Sequence, residues 1–141
     1  MDISVRQHAL ELIERSDLVQ APLAFVRELD GVDDVQVGAK LLYSLGARSA
    51  VVTDRAEGSG WVDRDGKAGR VPAFPVQAVD TLGAGDVFCG GLAHAHLCGL
   101  PLEQAVVLAS AAAAWKVRRW GKTRLPSETD LRDFIDPSSC R

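Results

Sequence analysis

The chain has 141 residues, 47% of them hydrophobic and 25% charged, with a net charge of −3. That length suits one domain, able to bury roughly two-thirds of the surface an unfolded chain exposes, and the apolar share excludes wholesale disorder. The acidic balance argues against a nucleic-acid partner held by a basic surface, and the longest apolar stretch, Ala105 to Trp115, is broken by Ser110 and too short to span a bilayer.

In chain order, Ala9, Leu10 and Ile13 give helical spacing within Val5 to Arg15. Asp17 to Gln20 suits a short strand. Pro22 can open a second helix and Gly31 close it; Asp34 caps a third through Leu41, Leu42 and Leu45, ending at Gly46. Ser49 to Thr53 (SAVVT) is a β-branched run that fits a buried strand. Trp61 to Asp63, a turn at Asp65-Gly66, and Gly69 to Val71 read as a hairpin. Phe74 to Val79 is extended, kept out of a helix by Pro72 and Pro75. One helix follows Gly85 to about Leu97, with Gly99 as a stop. The next opens at Pro101 and carries Leu102, Ala105, Val106, Ala109, Ala112 and Ala113 on one side. Ser127 and Asp130 form a capping box for a last helix, Glu128 to Ile135. The alternation predicts a single α/β domain over residues 1–141 with a mostly parallel sheet.

The chemistry lies in Val79 to Phe88 (VDTLGAGDVF). Gly83 and Gly85 let the backbone turn tightly and approach a ligand. The N–H groups of Gly83, Ala84, Gly85 and Asp86 open the next helix, at the positive end of its dipole, where anions bind. A carboxylate beside such a site is repulsive unless it takes a proton, and Asp86 is placed to take one from a hydroxyl that attacks phosphorus. Gly-Ala-Gly also suits a plain tight turn with Asp86 as a first-turn acid; two acids, Asp80 and Asp86, bracketing TLGAG are more specific than GxG alone. No GK[ST] follows, so this is not a P-loop. The third glycine of a dinucleotide fingerprint would fall on Phe88, which disfavours a dinucleotide-dependent oxidoreductase.

Val79 to Gly90 (VDTLGAGDVFCG) resembles the second signature of the ribokinase, or phosphofructokinase B, family of carbohydrate kinases. The resemblance extends to SAVVT upstream and to Ala109 to Ala114 (ASAAAA) and Gly121 downstream, from about Ser16 to Ile135. Within the family the look is nearest to the ketohexokinase and sulfofructose kinase branches. It implies a ribokinase-like three-layer α/β/α fold, here its C-terminal nucleotide-binding part, with a β-hairpin before the anion-hole helix. It implies ATP-dependent phosphorylation of a sugar or sugar-like hydroxyl, with Asp86 as base, Gly83 to Asp86 as anion hole, and Mg²⁺ arriving on ATP. Thr53, Glu57, Gly58 and Gly60, in the loop Thr53 to Gly60, would cover the nucleotide phosphates. Ser110, Ala113 and Ala114 would lie near adenine. Asp80, Leu82, Val117 and Gly121 would match the family's loop for a monovalent cation such as K⁺.

Three departures stand out. The chain begins near the midpoint of family chains, so the N-terminal half, with its lid and most sugar contacts, is expected to be absent. The family's Asn-x-x-Glu positions read Pro22 and Phe25, neither able to organise Mg²⁺ through water. Asp54 to Glu57 intervene before Gly58, poor company for phosphates unless Arg55 compensates. The alternative reading is a truncated, non-catalytic fragment or pseudoenzyme that keeps a nucleotide-binding half. A half sheet exposes an apolar edge, which predicts homo-oligomerisation or pairing with the absent half.

The other polar residues have plainer readings. Cys89, Cys98 and Cys140 lack disulfide-framework spacing and read as free thiols in a reducing, cytoplasmic compartment; no secretory signal opens the chain. His94 and Cys98 share a helix face while His96 points elsewhere, and no second pair completes a zinc site. Trp61, Trp115 and Trp120 read as packing residues, with Trp115 or Trp120 as an adenine contact the lesser reading. Lys116, Arg118 and Arg119 suit the negative end of a helix dipole.

Overall fold

Helix α1 (Ile3–Arg15) starts where the Asp2 carboxylate accepts from the Ser4 N–H at 2.9 Å, and Ile13 is its buried residue. Strand β1 (Val19–Pro22) leads directly into α2 (Leu23–Asp30). Pro22 fixes the entry to α2, and Gly31 ends it with a left-handed φ of 71°. That conformation costs an L side chain about 1–2 kcal/mol and glycine nothing. Helix α3 (Val35–Ser44) is capped by Asp34, whose carboxylate accepts from Gln36 and Val37 N–H, each at 2.9 Å, and pairs with the Arg70 guanidinium.

The computed structural model of the chain describes residues 1–121 and 124–136, so Cys140 lies outside it. These residues group into two compact units, Met1–Pro72 and Ala73–Arg141.

The first unit carries a four-stranded sheet in the order β1-β2-β3-β4. Strand β2 (Ala50–Asp54) runs parallel to β1, with Val19 opposite Ala50. Strands β3 (Gly58–Val62) and β4 (Ala68–Val71) follow antiparallel. Ala50, Val51 and Val52 have no exposed surface, as a strand covered on both faces requires. Ala50, Val52 and Ala21 pack with Val26, Leu29, Ala39, Leu42 and Val62. Phe25, at one of the departing family positions, packs against this core.

The sheet differs from the mostly parallel one the alternation predicts: among the described residues it has one parallel and two antiparallel pairs. Only Arg55–Glu57 separates β2 from β3, and so short a link can only reverse the chain. Strand β3 also begins at Gly58, before the expected hairpin arm. Gly60 is there for a steric reason: a Cβ would sit 2.4 Å from the Val35 carbonyl oxygen.

In the second unit residues 73–81 are irregular and pair in no strand. Helices α4 (Ala84–Leu97) and α5 (Leu102–Val117) pack together through small residues. A Cβ on Gly91 would lie 3.1 Å from the Ala109 Cα. Helix α6 (Glu128–Ile135) opens with the expected capping box and sets Leu131 and Phe134 against Ala111, Ala112 and Trp115.

The Asp34 cap generates a stability prediction. The Val37 N–H, then Arg70, hold its carboxyl below the usual aspartate range. A depressed folded pKa gives stability that is present above about pH 4 and is lost as pH falls through the folded value. Asp34→Ala should cost about 1 kcal/mol in urea unfolding at pH 7, and its gap from the wild type should close below about pH 4.

Candidate active site

The turn into α4 is built by local chemistry. The Asp80 carboxylate accepts from the Leu82 N–H at 3.0 Å through Oδ1 and from the Gly121 N–H at 3.0 Å through Oδ2. These two backbone bonds, then Lys116, hold the Asp80 carboxyl below its ordinary pKa. Gly83 caps the helix with a φ of 78°. The first helical hydrogen bond runs from the Val87 N–H to the Gly83 carbonyl at 3.1 Å. Gly85 and Asp86 therefore precede the ladder, and their N–H groups have no carbonyl within the helix to bond.

One member of the expected anion hole is already engaged. The Ala84 N–H donates to the Thr81 carbonyl at 3.2 Å, closing the turn. A Cβ on Gly85 would meet nothing within 4 Å. Asp86 is exposed in the first turn of α4. Partial desolvation, then the Asp86 charge one helical turn away, push the Cys89 thiol up.

The other predicted site residues fall in both units. In the first, Thr53 is half-buried in β2, and its hydroxyl accepts from Gln20 Nε2 at 3.2 Å. Gly58 and Gly60, expected in a loop, are buried in β3. What remains of that loop is the 3-10 turn Arg55–Glu57, with Glu57 exposed. Arg55 has a φ of 30°, the one positive value at a non-glycine position among the described residues. Such strain persists only where the surroundings enforce it. In the second unit, Ser110 and Ala114 are buried in α5 and Ala113 is half-buried.

The cation loop holds the largest departure from expectation. Lys116, expected at an open helix end, is only 2% exposed. Its Nζ donates to the Asp80 carbonyl at 2.9 Å and to the Leu82 carbonyl, and lies 3.4 Å from Asp80 Oδ2. The Val117 carbonyl accepts from the N–H groups of Val79 (2.7 Å) and Asp80 (3.1 Å). The oxygens expected to face a monovalent metal ion therefore face an ammonium or backbone N–H groups, and this donor set does not fit a free ion. Sequence reasoning missed Lys116, although it continues the Ala105, Ala109 and Ala112 stripe at helical spacing.

The remaining candidates resolve plainly. Cys98 Sγ lies 3.7 Å from His94 Nε2 on the surface, and no group of three or more metal-ligating residues forms among the described residues. Trp115 is 4% exposed, its face covered by the Arg119 guanidinium 3.9 Å from the ring centre; Trp120 is exposed. No described helix is long and apolar enough to cross a membrane.

Comparison with known proteins sets this turn and helix pair within a family. The family described as pfkB family carbohydrate kinase matches residues 5–130. The chain is 34% identical over 108 residues to the deoxyribokinase of Salmonella typhi, covering 76% of this chain and 35% of that one. It superposes on the crystal structure of a Thermotoga maritima ribokinase with a TM-score of 0.77 and 30% identity, covering 89% of this chain and 44% of that one. On aminoimidazole riboside kinase from Salmonella enterica, crystallised with aminoimidazole riboside and an ATP analogue, the TM-score is 0.81 at 25% identity, covering 94% of this chain and 46% of that one. The chain belongs to the pfkB family of carbohydrate kinases and has their ribokinase-like α/β fold. It spans less than half the length of each of these relatives.

The two glycines of the turn should respond oppositely to substitution. Gly83→Ala forces a Cβ into the left-handed region and should cost about 1–2 kcal/mol. Gly85→Ala, helical and in open space, should leave the melting midpoint equal or higher. Thermal melts of the two variants check this.

Proposed function

We propose that the chain carries the phosphoryl-transfer centre of a sugar kinase, which moves the γ-phosphoryl group of ATP to a hydroxyl of a sugar or sugar-like alcohol. The observation that carries this reading is the exposed Asp86 carboxylate in the first turn of α4, beside Gly85 and Asp86 N–H groups that precede the helical ladder. In the proposed step the acceptor oxygen forms a bond to phosphorus and the bond to the β-phosphate oxygen breaks. The hydroxyl proton passes to Asp86, and ADP leaves. Charge gathers on the phosphoryl oxygens, where the helix N-terminus can stabilise it without reorganising.

Thr53, Glu57, Gly58 and Gly60 are assigned to the nucleotide phosphates, with the Arg55 guanidinium offsetting the charge of Asp54 and Glu57 beside them. Ser110, Ala113 and Ala114 are assigned to the adenine side. Mg²⁺ would be held by the ATP phosphates and water, and would offset their charge. The names of the relatives, a deoxyribokinase, a ribokinase and an aminoimidazole riboside kinase, favour a ribose-like acceptor.

A second reading, nucleotide binding without transfer, is favoured by Pro22 and Phe25, which offer no side-chain oxygen at the two positions where the family resemblance leads one to expect Asn and Glu. Two measurements separate the readings. Saturating Mg-ATP at about 100 times its Kd should stabilise the folded chain by roughly 2.7 kcal/mol, seen as a raised melting midpoint. No shift counts against both readings. Asp86→Asn keeps the shape and removes the base, so kcat for sugar phosphorylation should fall by about 10²-fold or more while the Mg-ATP shift persists. Wild-type turnover in that variant would remove Asp86 as base. A shift with no turnover in the parent chain favours the second reading.

A further inference from the structure

We propose that Lys116 is a built-in monovalent cation: its ammonium fills an oxygen cage that a diffusible ion would otherwise occupy, and it holds the loop leading into α4. An ammonium has three N–H donors and no acceptor. Lys116 Nζ has three oxygens to meet them: the Asp80 carbonyl at 2.9 Å, the Leu82 carbonyl, and Asp80 Oδ2 at 3.4 Å. The side chain is 2% exposed, so these oxygens take the place of its water shell. Two converging carbonyls and a carboxylate are the donors that a hard monovalent ion selects. A second cation using the same oxygens would lie within about 4 Å of the ammonium, where like charges repel strongly in a site poor in water.

The cage also has a mechanical role. All three of its oxygens belong to residues 80 and 82, just before the Gly83 cap. Lys116 comes from the last turn of α5, and the neighbouring Val117 carbonyl accepts from Val79 and Asp80 N–H. The charge is therefore covalently tied to the helix that the loop docks on. A metal ion could leave this cage at low concentration; a side chain cannot. Lys116 is thus a positioning residue for the α4 N-terminus. Its effect on turnover rests on the kinase reading above, whereas ion binding and stability do not.

The test is a set of melts in potassium, ammonium or tetramethylammonium chloride at equal ionic strength. The wild-type midpoint should be the same in all three. Lys116→Ala empties the cage and should lower the midpoint by roughly 10 °C or more in tetramethylammonium, with K⁺ or NH₄⁺ recovering part of the loss. Lys116→Met fills the stem volume without charge and should be destabilised with no ion-specific recovery. A wild-type midpoint that rises in K⁺ over tetramethylammonium overturns the proposal without any variant, as does Lys116→Met melting like the wild type. Should Lys116→Ala fail to fold in all three salts, the wild-type and Lys116→Met arms still decide. Melting reads the cage alone. If Asp86→Asn keeps full turnover while these melts behave as stated, the kinase roles fail and the cage stands.

Discussion

A charge taken out of water has to be matched donor for donor, and in the second unit that requirement falls on Lys116. The three N–H groups of its ammonium need three oxygens, and the chain supplies them from two residues of one loop. Satisfying them fixes where Asp80 and Leu82 sit. With Asp80 fixed, its carboxylate can accept from both the Leu82 and Gly121 N–H groups. Gly83 then turns left-handed and α4 begins. The open helix end and Asp86 inherit their position from this sequence of constraints. A polar network of this kind is worth having only when complete, because each unpaired member would carry its own desolvation cost.

Small residues set the other half of the geometry. The Gly91 backbone lies close enough to Ala109 that a side chain on Gly91 would push α4 away from α5. The same helix pair carries the Asp86 turn on α4 and Lys116 on α5. Close packing therefore determines how far the lysine must reach to the loop it holds. In the first unit Gly60 plays the matching part, letting β3 pass against the start of α3 where any Cβ would collide with Val35. Gly60 and Gly91 thus act as spacing devices, whereas Gly83, like Gly31, is needed for its φ.

Much of this was legible in the sequence where local chemistry decides the outcome. Asp34, Gly31, Pro22 and the Ser127–Asp130 pair mark helix ends through hydrogen bonds within a few residues, and these ends fall where the signals put them. The VDTLGAGD run marked the turn and helix start for the same reason. Strand direction was less legible, because β3 is glycine-rich and its pairing is set by the short Arg55–Glu57 link rather than by side-chain pattern. The loop assigned to phosphates shrank to that link. Lys116 was misplaced because a lysine near a helix end fits the helix dipole so well that the stripe it continues was not followed to its end. Residues 105, 109, 112 and 116 lie on one side of a helix. A lysine on such a stripe is either an error of the pattern or a buried charge with a partner, and the partner here is not readable from spacing, since Asp80 lies 36 residues away.

The division of labour within the chain follows from these constraints. The bonds that set the α4 N-terminus come from residues 79–87 and 116–121. Nearly all of them are backbone groups or the Asp80 carboxylate, which carry no information about which hydroxyl is to be phosphorylated. Donors aimed at a transferring phosphoryl group need only be rigid and correctly spaced, and a turn locked by an internal ammonium supplies both without drawing on the rest of the fold. Acceptor choice has to be written in other residues, those that touch the sugar before its oxygen reaches phosphorus. On the proposed kinase reading, the geometry of transfer and the choice of acceptor are therefore separate problems, and Lys116 bears on the first through the loop it holds.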